Sequence, residues 1–123
     1  VVDVAEPIKL FDAEYRFVSL VWQYEPINST ELAKRCLDQL GWKKSTTYTV
    51  LRKLCKRKIL ANQNSMVTSI LKQDEYRAME SLNVVDKTFE GSLPKFLTAF
   101  LNRKNLSQRE LAELESILRE AMK

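Results

Sequence analysis

The chain has 123 residues and a net charge of +4, with 45% hydrophobic and 29% charged residues, 2 glycines and 3 prolines. That gives room for one ordinary domain, or a small domain plus an assembly segment, of globular composition. With no histidine and two scattered cysteines, Ser-His and Cys-His nucleophiles are excluded, no metal site or cofactor is expected, and no apolar run approaches the roughly 20 residues of a membrane span.

The scarcity of Gly and Pro argues for long helices with few turns. No basic-then-apolar leader pattern opens the sequence, so a cytoplasmic protein is expected. Residues 1–10, with Pro7, read as an arm or extended lead-in. Asp12 is the expected N-cap of a first helix, its short carboxylate accepting an orphan amide. Phe17, Val18, Leu20, Val21 and Trp22 make that helix apolar around much of its circumference, as central helices are, to about Gln23. Trp22 is expected in the core. Pro26 ends the helix, because the residue before a proline is pushed out of helical geometry.

Asn28-Ser29-Thr30-Glu31 reads as a capping box, with Asn28 at the cap and Glu31 reaching back to it. Leu32, Ala33, Cys36, Leu37 and Leu40 then share one helix face. Lys34, Arg35, Asp38 and Gln39 share the other. Gly41 suits the helix end, where a positive φ is needed. After a short turn through Trp42, Ser45 is the expected cap of a third helix running to about Lys58. Helix, tight turn and basic helix is the helix-turn-helix order. Cys36 and Cys55 sit beside apolar residues and read as small buried hydrophobes.

Ile59–Gln63 and Met66–Leu71 are β-prone runs around Asn64-Ser65, a hairpin pattern. The expected fold is therefore mainly α with a small β-hairpin: a winged helix-turn-helix over residues 1–71, followed by a helical segment over 72–123. In that second segment Tyr76, Met79, Leu82, Val85 and Phe89 run along one side. Gly91 stops the helix, Ser92 caps the next, and Pro94 falls in its first turn. Leu93, Phe96, Leu97, Phe100 and Leu101 match the i, i+3, i+4, i+7, i+8 template. Ser107-Gln108-Arg109-Glu110 is a second capping box, opening a helix with Leu111, Leu114, Leu118 and Ala121 on one side and Ile117 beside them. So few residues bury little by themselves, so these stripes need a partner surface. A second copy of the chain is the expected one, with Met79, Leu82, Val85, Phe89, Leu93, Phe96, Leu97, Phe100, Leu101, Leu111, Leu114 and Leu118 as candidate dimerisation residues.

The stretch with the clearest chemistry is Trp42–Lys58. From Lys43 to Lys58 it holds seven basic residues and no acidic one, leaving the rest of the chain at −3. Solvated helix faces interleave Glu with Lys, and this one does not. With Val50, Leu51 and Leu54 docked, a rotation of about 100° per residue turns Thr46, Thr49, Arg52, Lys53 and Lys56 outward, with Tyr48 near the edge. Hydroxyls, threonine methyls and a guanidinium suit base edges in a DNA major groove, which makes Thr46, Tyr48, Thr49 and Arg52 candidate base contacts. Lys43, Lys44 and Ser45 lie at the positive end of the helix dipole and suit phosphate. Lys53, Lys56 and Arg57 flank as further phosphate contacts. The expected partner is double-stranded DNA. A winged-helix adaptor whose basic helix meets an acidic protein is the alternative. An enzyme is not expected, since no Gly-rich phosphate loop, metal cluster or acid–base constellation is present.

Asp12-Ala13-Glu14, Val21-Trp22, Pro26-Ile27-Asn28-Ser29-Thr30-Glu31-Leu32 and Lys44-Ser45-Thr46-Thr47-Tyr48-Thr49-Val50-Leu51-Arg52-Lys53-Leu54 form one ordered series. Gly91-Ser92-Leu93-Pro94-Lys95-Phe96-Leu97 and Leu106-Ser107 continue it. In this order and spacing the chain resembles the penicillinase-repressor (BlaI/MecI/CopY) type of transcriptional regulator, over roughly residues 9–122. The resemblance implies a winged-helix N-terminal domain, a helical dimerisation segment, and a homodimer that represses transcription from a pseudo-palindromic operator. In the best-known branch an upstream membrane sensor triggers cleavage in the C-terminal segment. The matching position here is Ala99–Phe100, where the family usually has Asn before Phe. The copper-responsive branch carries C-terminal cysteine pairs, and this chain has no cysteine after Cys55. The family also commonly has Arg where Tyr48 stands, and a fuller wing.

Overall fold

The computed structural model describes residues 8–123, so most of the lead-in expected over residues 1–10 lies outside the described residues. In chain order the elements are α1 (Asp12–Tyr24), β1 (Ile27–Asn28), α2 (Ser29–Leu40), α3 (Lys44–Lys56), β2 (Leu60–Gln63), β3 (Met66–Ser69), α4 (Gln73–Phe89), α5 (Leu93–Arg103) and α6 (Gln108–Ala121). They form two compact units that part between Glu80 and Ser81.

In the first unit, α1 is the central helix its composition predicts, burying Phe17, Val18, Leu20 and Val21. Its start differs from expectation. Phe11, not Asp12, occupies the cap position, and the Glu14 carboxylate accepts the Phe11 amide at 3.0 Å. A carboxylate one turn in can reach back to that amide, which leaves Asp12 as the first helical residue, where its charge still favours the dipole. Trp22 is half-buried rather than fully enclosed, and its indole N–H donates to the Leu71 carbonyl at 2.9 Å.

Asn28 caps α2 as expected, its side-chain oxygen accepting the Thr30 amide at 2.8 Å. Glu31 does something else: it pairs with Arg35 one turn on, at 3.3 Å. Gly41 ends α2 at φ 71°, and the Trp42 amide reaches back to the Cys36 carbonyl at 3.2 Å. Leu37, expected on the apolar face, is 60% exposed, because the helix stripe is wider than the surface that covers it. The third helix begins at Lys44 with Lys43 at the cap, and no side chain caps it. Ser45 is therefore inside the first turn, where its carbonyl accepts the Thr49 hydroxyl at 2.9 Å. At the other end Lys58 takes φ 64°, and the Lys58 and Ile59 amides return to Cys55 and Leu54, so the helix stops two residues before the expected end.

The hairpin is present, with Asn64 and Ser65 both at positive φ (53° and 66°), the conformation a two-residue turn needs between twisted strands. A strand that sequence reading missed completes the sheet. Residues Ile27 and Asn28 pair antiparallel with Val67 and Met66, giving the order β1-β3-β2. Two residues are too short to show an alternating pattern.

Phe17, Val18, Val21, Leu32, Cys36, Leu51, Leu54, Ile59, Leu60 and Val67 form the centre of the core, none more than 2% exposed. Each such large side chain contributes about 1.5–3 kcal/mol by leaving water. Tyr76 belongs to this core and Met79 packs against it, so the first turns of α4 close the first unit and the same helix continues into the second. Met79, expected at a dimer contact, is thus used inside the unit. One polar knot ties the sheet to the connection before α4. Glu25 accepts the Ser69 amide at 2.8 Å and the Ser69 hydroxyl at 2.8 and 3.0 Å, with the Lys72 ammonium at 3.5 Å. Burial alone would raise the Glu25 carboxyl, but the Ser69 hydrogen bonds and Lys72 together hold it below its ordinary value of 4.5.

The second unit consists of the rest of α4 with α5 and α6. Ser92 and Ser107 cap α5 and α6 as expected, accepting the Lys95 and Glu110 amides at 3.2 and 3.1 Å. Glu110 returns to the Ser107 amide at 3.1 Å, closing the second capping box. Phe89, Phe96 and Phe100 meet in series, Phe89 edge-on to Phe96 and Phe96 tilted by 30° to Phe100, with centroids 5.4 and 6.1 Å apart. Yet no residue between Ser81 and Lys123 is buried. The architecture is mainly α with a small antiparallel sheet, a winged helix-turn-helix followed by a helical segment.

Two outcomes follow from these local geometries. Gly41→Ala should lower the unfolding free energy by about 1–2 kcal/mol, the cost of a left-handed backbone alone, since an added Cβ meets nothing within 4 Å; urea denaturation reads it. Glu25→Gln should cost about 1–3 kcal/mol at neutral pH. Because the folded carboxyl is held below 4.5, its contribution is present above that value and lost as pH falls through the folded pKa. The gap between variant and parent should therefore close in acid denaturation series.

Candidate nucleic-acid interface

The inner face of α3 is fixed by three buried residues, Thr47, Leu51 and Leu54. Val50, expected to dock fully, is half-buried against the same core, and the fully buried position is taken by Thr47. The entry to the helix is held by Trp42, whose ring stacks on Phe17 at 5.5 Å with planes 14° apart. With that face and that entry angle set, the opposite face has one orientation.

Lys43, Lys44, Ser45, Thr46, Thr49, Arg52, Lys53 and Lys56 are all exposed. Among the described residues none of the cations Lys43, Lys44, Arg52, Lys53 and Lys56 forms an ion pair. The first turn of α3 carries no acidic residue and no side-chain cap, so its amides and the two leading lysines present positive charge together. Thr49 donates its proton back to the Ser45 carbonyl and lies 3.5 Å from the Arg52 guanidinium. Its outward options are therefore its methyl and a hydroxyl lone pair, next to a guanidinium with free donors.

Two expected residues are placed differently. Arg57 follows the helix end and, though exposed, is engaged: its guanidinium pairs with Glu14 at 3.3 Å and donates to the Lys9 carbonyl at 2.6 Å. It ties α3 to the start of α1, and that engagement competes with any phosphate contact. Tyr48 is half-buried at the junction with α2. Its phenol lies by the Ser29 hydroxyl, with Thr30 and Lys44 nearby, and these hold its pKa below the ordinary value against the opposing effect of burial. Tyr48 thus braces α3 against the start of α2 at the edge of the outward face.

Tertiary packing also adds residues that the linear pattern could not nominate. Thr30, Ala33, Lys34 and Leu37 of α2 share a shallow concavity of about 180 Å³ with Lys44. This brings the Lys34 cation beside those of α3, although the two are far apart in their own helical patterns. Both thiols are raised by burial, so Cys36 and Cys55 stay protonated and inert. Among the described residues no group of His, Cys, Asp or Glu could hold a metal ion, and no helix is long and apolar enough to cross a membrane.

In the second unit the expected contact residues lie on surfaces that one copy leaves open. Leu82, Leu93, Phe100, Leu101, Leu111 and Leu118 are 41–66% exposed, while Val85, Phe89, Phe96, Leu97 and Leu114 are half-buried. Leu93, Leu97, Leu101, Leu111, Leu114 and Leu118 line an apolar groove of about 690 Å³ between α5 and α6.

Comparison with known proteins adds a lineage to this geometry. The chain is similar to a penicillinase repressor of Bacillus licheniformis, 26% identical over 116 residues and covering 91% of each chain. It is likewise similar to the methicillin resistance regulatory protein MecI of Staphylococcus aureus strain Mu50, 22% identical over 114 residues, covering 89% of this chain and 93% of that one. In fold it resembles Staphylococcus aureus MarR, solved in complex with salicylate and kanamycin. That likeness has a TM-score of 0.50 at 16% identity, over 92% of this chain and 71% of that one. The model of the penicillinase repressor family matches residues 10–120, both units included, and the chain belongs to that family, whose members are transcriptional repressors rather than enzymes.

Proposed function

We propose that this protein is a sequence-specific DNA-binding repressor that acts as a homodimer on a pseudo-palindromic operator. Residues 1–71, with the first turns of α4 closing their core, carry DNA recognition, and the remainder of residues 72–123 carries dimerisation. The observation that supports this reading most directly is the outward face of α3: five exposed cations without ion-pair partners among the described residues, interleaved with threonines and free of acid. Family membership and the repressor names of the relatives point the same way.

The division of labour follows from chemistry. Lys43, Lys44 and Ser45 meet phosphate at the helix start, and Lys53 and Lys56 meet it along the flank. Thr46, Thr49 and Arg52 face base edges, Arg52 as a two-donor partner for guanine and the threonine methyls as apolar partners for thymine. Repression then results from occupancy of the operator, which blocks access to the promoter. One α3 helix makes too few contacts for high affinity. Pairing two copies doubles the contacts and sets a half-site spacing of about one helical turn. The open apolar faces of α5 and α6 support that pairing. Whether an upstream sensor protease releases the dimer by cutting at Ala99–Phe100 is a further part of the family scheme; that bond lies within α5, with both residues exposed.

Operator sequences obtained by selection from random duplexes provide the test. Affinity should fall linearly on a log–log salt plot with a slope of roughly −0.9 per phosphate neutralised, and a flat response would exclude the reading. Lys53→Ala should weaken all duplexes alike and reduce that slope by about one, whereas Arg52→Ala should cost about 1–3 kcal/mol at selected sites and change the preferred base. For the assembly, Leu97→Glu combined with Leu118→Glu should convert a sedimenting dimer to monomer and abolish cooperative operator binding. A parent chain that sediments as a monomer at micromolar concentration would defeat the dimer.

A further inference from the structure

A cavity of about 350 Å³ lies where the lead-in and α1 meet the first turns of α4, lined by Leu10, Asp12, Tyr15, Tyr76, Arg77 and Glu80. None of these residues belongs to α3. Its walls are two phenol rings, Tyr15 and Tyr76, with centroids 5.8 Å apart and planes tilted by 33°. Tyr76 is only 6% exposed, while Tyr15 is 37% exposed and offers its ring to a ligand. Burial, with Glu80 and Tyr15 nearby, raises the Tyr76 pKa and keeps it a neutral phenol.

Around these rings stand three charges that do not answer one another. Among the described residues Asp12, Arg77 and Glu80 form no ion pair, although other exposed charges of the chain do. Asp12 is not the helix cap, since Phe11 holds that position and its amide is satisfied by Glu14. A volume of this size suits a small molecule. A plain cation would be drawn to the carboxylates and ring faces but would leave the guanidinium unanswered. A plain anion would satisfy Arg77 and face two carboxylates. A compact molecule bearing both charges on a short aromatic body meets all three groups.

We propose that this cavity binds a small zwitterion of the amino-acid class. Its ammonium lies between Asp12 and Glu80, its carboxylate on Arg77, and its apolar side chain against Tyr15 and Leu10. Two of the contacts, Arg77 and Glu80, fall on α4, the helix that carries the chain from the first unit into the second. The site is independent of the DNA-reading face, so its failure would leave the repressor reading untouched.

Titration of the full chain with L-phenylalanine, followed by NMR of the Tyr15 and Tyr76 ring signals, tests the proposal. Phenethylammonium and 3-phenylpropanoate serve as the single-charge arms. The zwitterion should give saturable shifts, and each single-charge analogue should bind about tenfold or more weakly. Arg77→Gln should weaken L-phenylalanine by about tenfold and leave phenethylammonium unchanged, whereas Glu80→Gln should weaken both. Both positions are at least partly open to solvent, and unchanged thermal unfolding would certify the folds. Shifts that do not saturate up to the solubility limit would overturn the proposal. Equal affinity for the three probes, or indifference to both substitutions, would overturn it as well.

Discussion

Everything in the first unit depends on how one face of α3 is buried. Thr47, Leu51 and Leu54 enter a core supplied by α1, α2 and the hairpin, and the Trp42–Phe17 stack sets the angle at which the helix begins. An α-helix has a single degree of rotational freedom about its axis. Once three residues on one side leave water, the residues opposite have no choice of direction. The cationic face is thus a consequence of apolar docking, and it needs no interaction of its own to stay exposed. That is why the surface can carry unpaired lysines without loss of fold. Exposed, hydrated cations cost little, and the burial that holds them in place occurs elsewhere.

The second unit shows the opposite condition. Its three helices are well formed locally: serine caps, a closed capping box and a Pro in the first turn of α5 are all in place. What they lack is an interior, for no residue from Ser81 onward is buried in a single copy. Local signals are enough to start and stop helices but do not bury apolar stripes, and isolated helices of this length are marginal in water. A second copy is the simplest way to remove those stripes from solvent. On the proposed function the same requirement couples assembly to DNA reading, because two copies of α3 are held at a fixed spacing only when the two stripes are covered.

The departures from sequence expectation share a cause. Asp12 and Ser45 are good capping residues by type, yet Phe11 and Lys43 occupy the caps, because the position of a helix start depends on which turn packs and not on which side chain could cap. Arg57 was counted with the basic run, but the fold brings Glu14 and the Lys9 carbonyl to it from far along the chain. Tyr48 faces α2 because the two helices cross at that point. Strand β1 exists only because β3 offers it a ladder, and two residues carry no pattern of their own. Lys34 joins the cationic surface through packing of α2 beside α3, an adjacency no single-helix periodicity contains.

By itself the sequence determined the elements and their chemistry. Helical periodicity, the Asn28, Ser92 and Ser107 caps, the Gly41 stop and the Asn64-Ser65 turn place the helices and the hairpin within a few residues. The acid-free run from Lys43 to Lys58 marks out one cationic face. These features are local, set by propensities and patterns within one or two turns, and so they are written in neighbouring residues. Only the tertiary structure decided which members of that run hold partners elsewhere in the fold, since Arg57 pairs with Glu14 and Tyr48 is braced against α2. It alone decided also which turns of α4 belong to the first core and which charges ring the cavity near Tyr76. Those outcomes depend on contacts between residues distant in sequence, where geometry and burial, not residue type, set each side chain's surroundings.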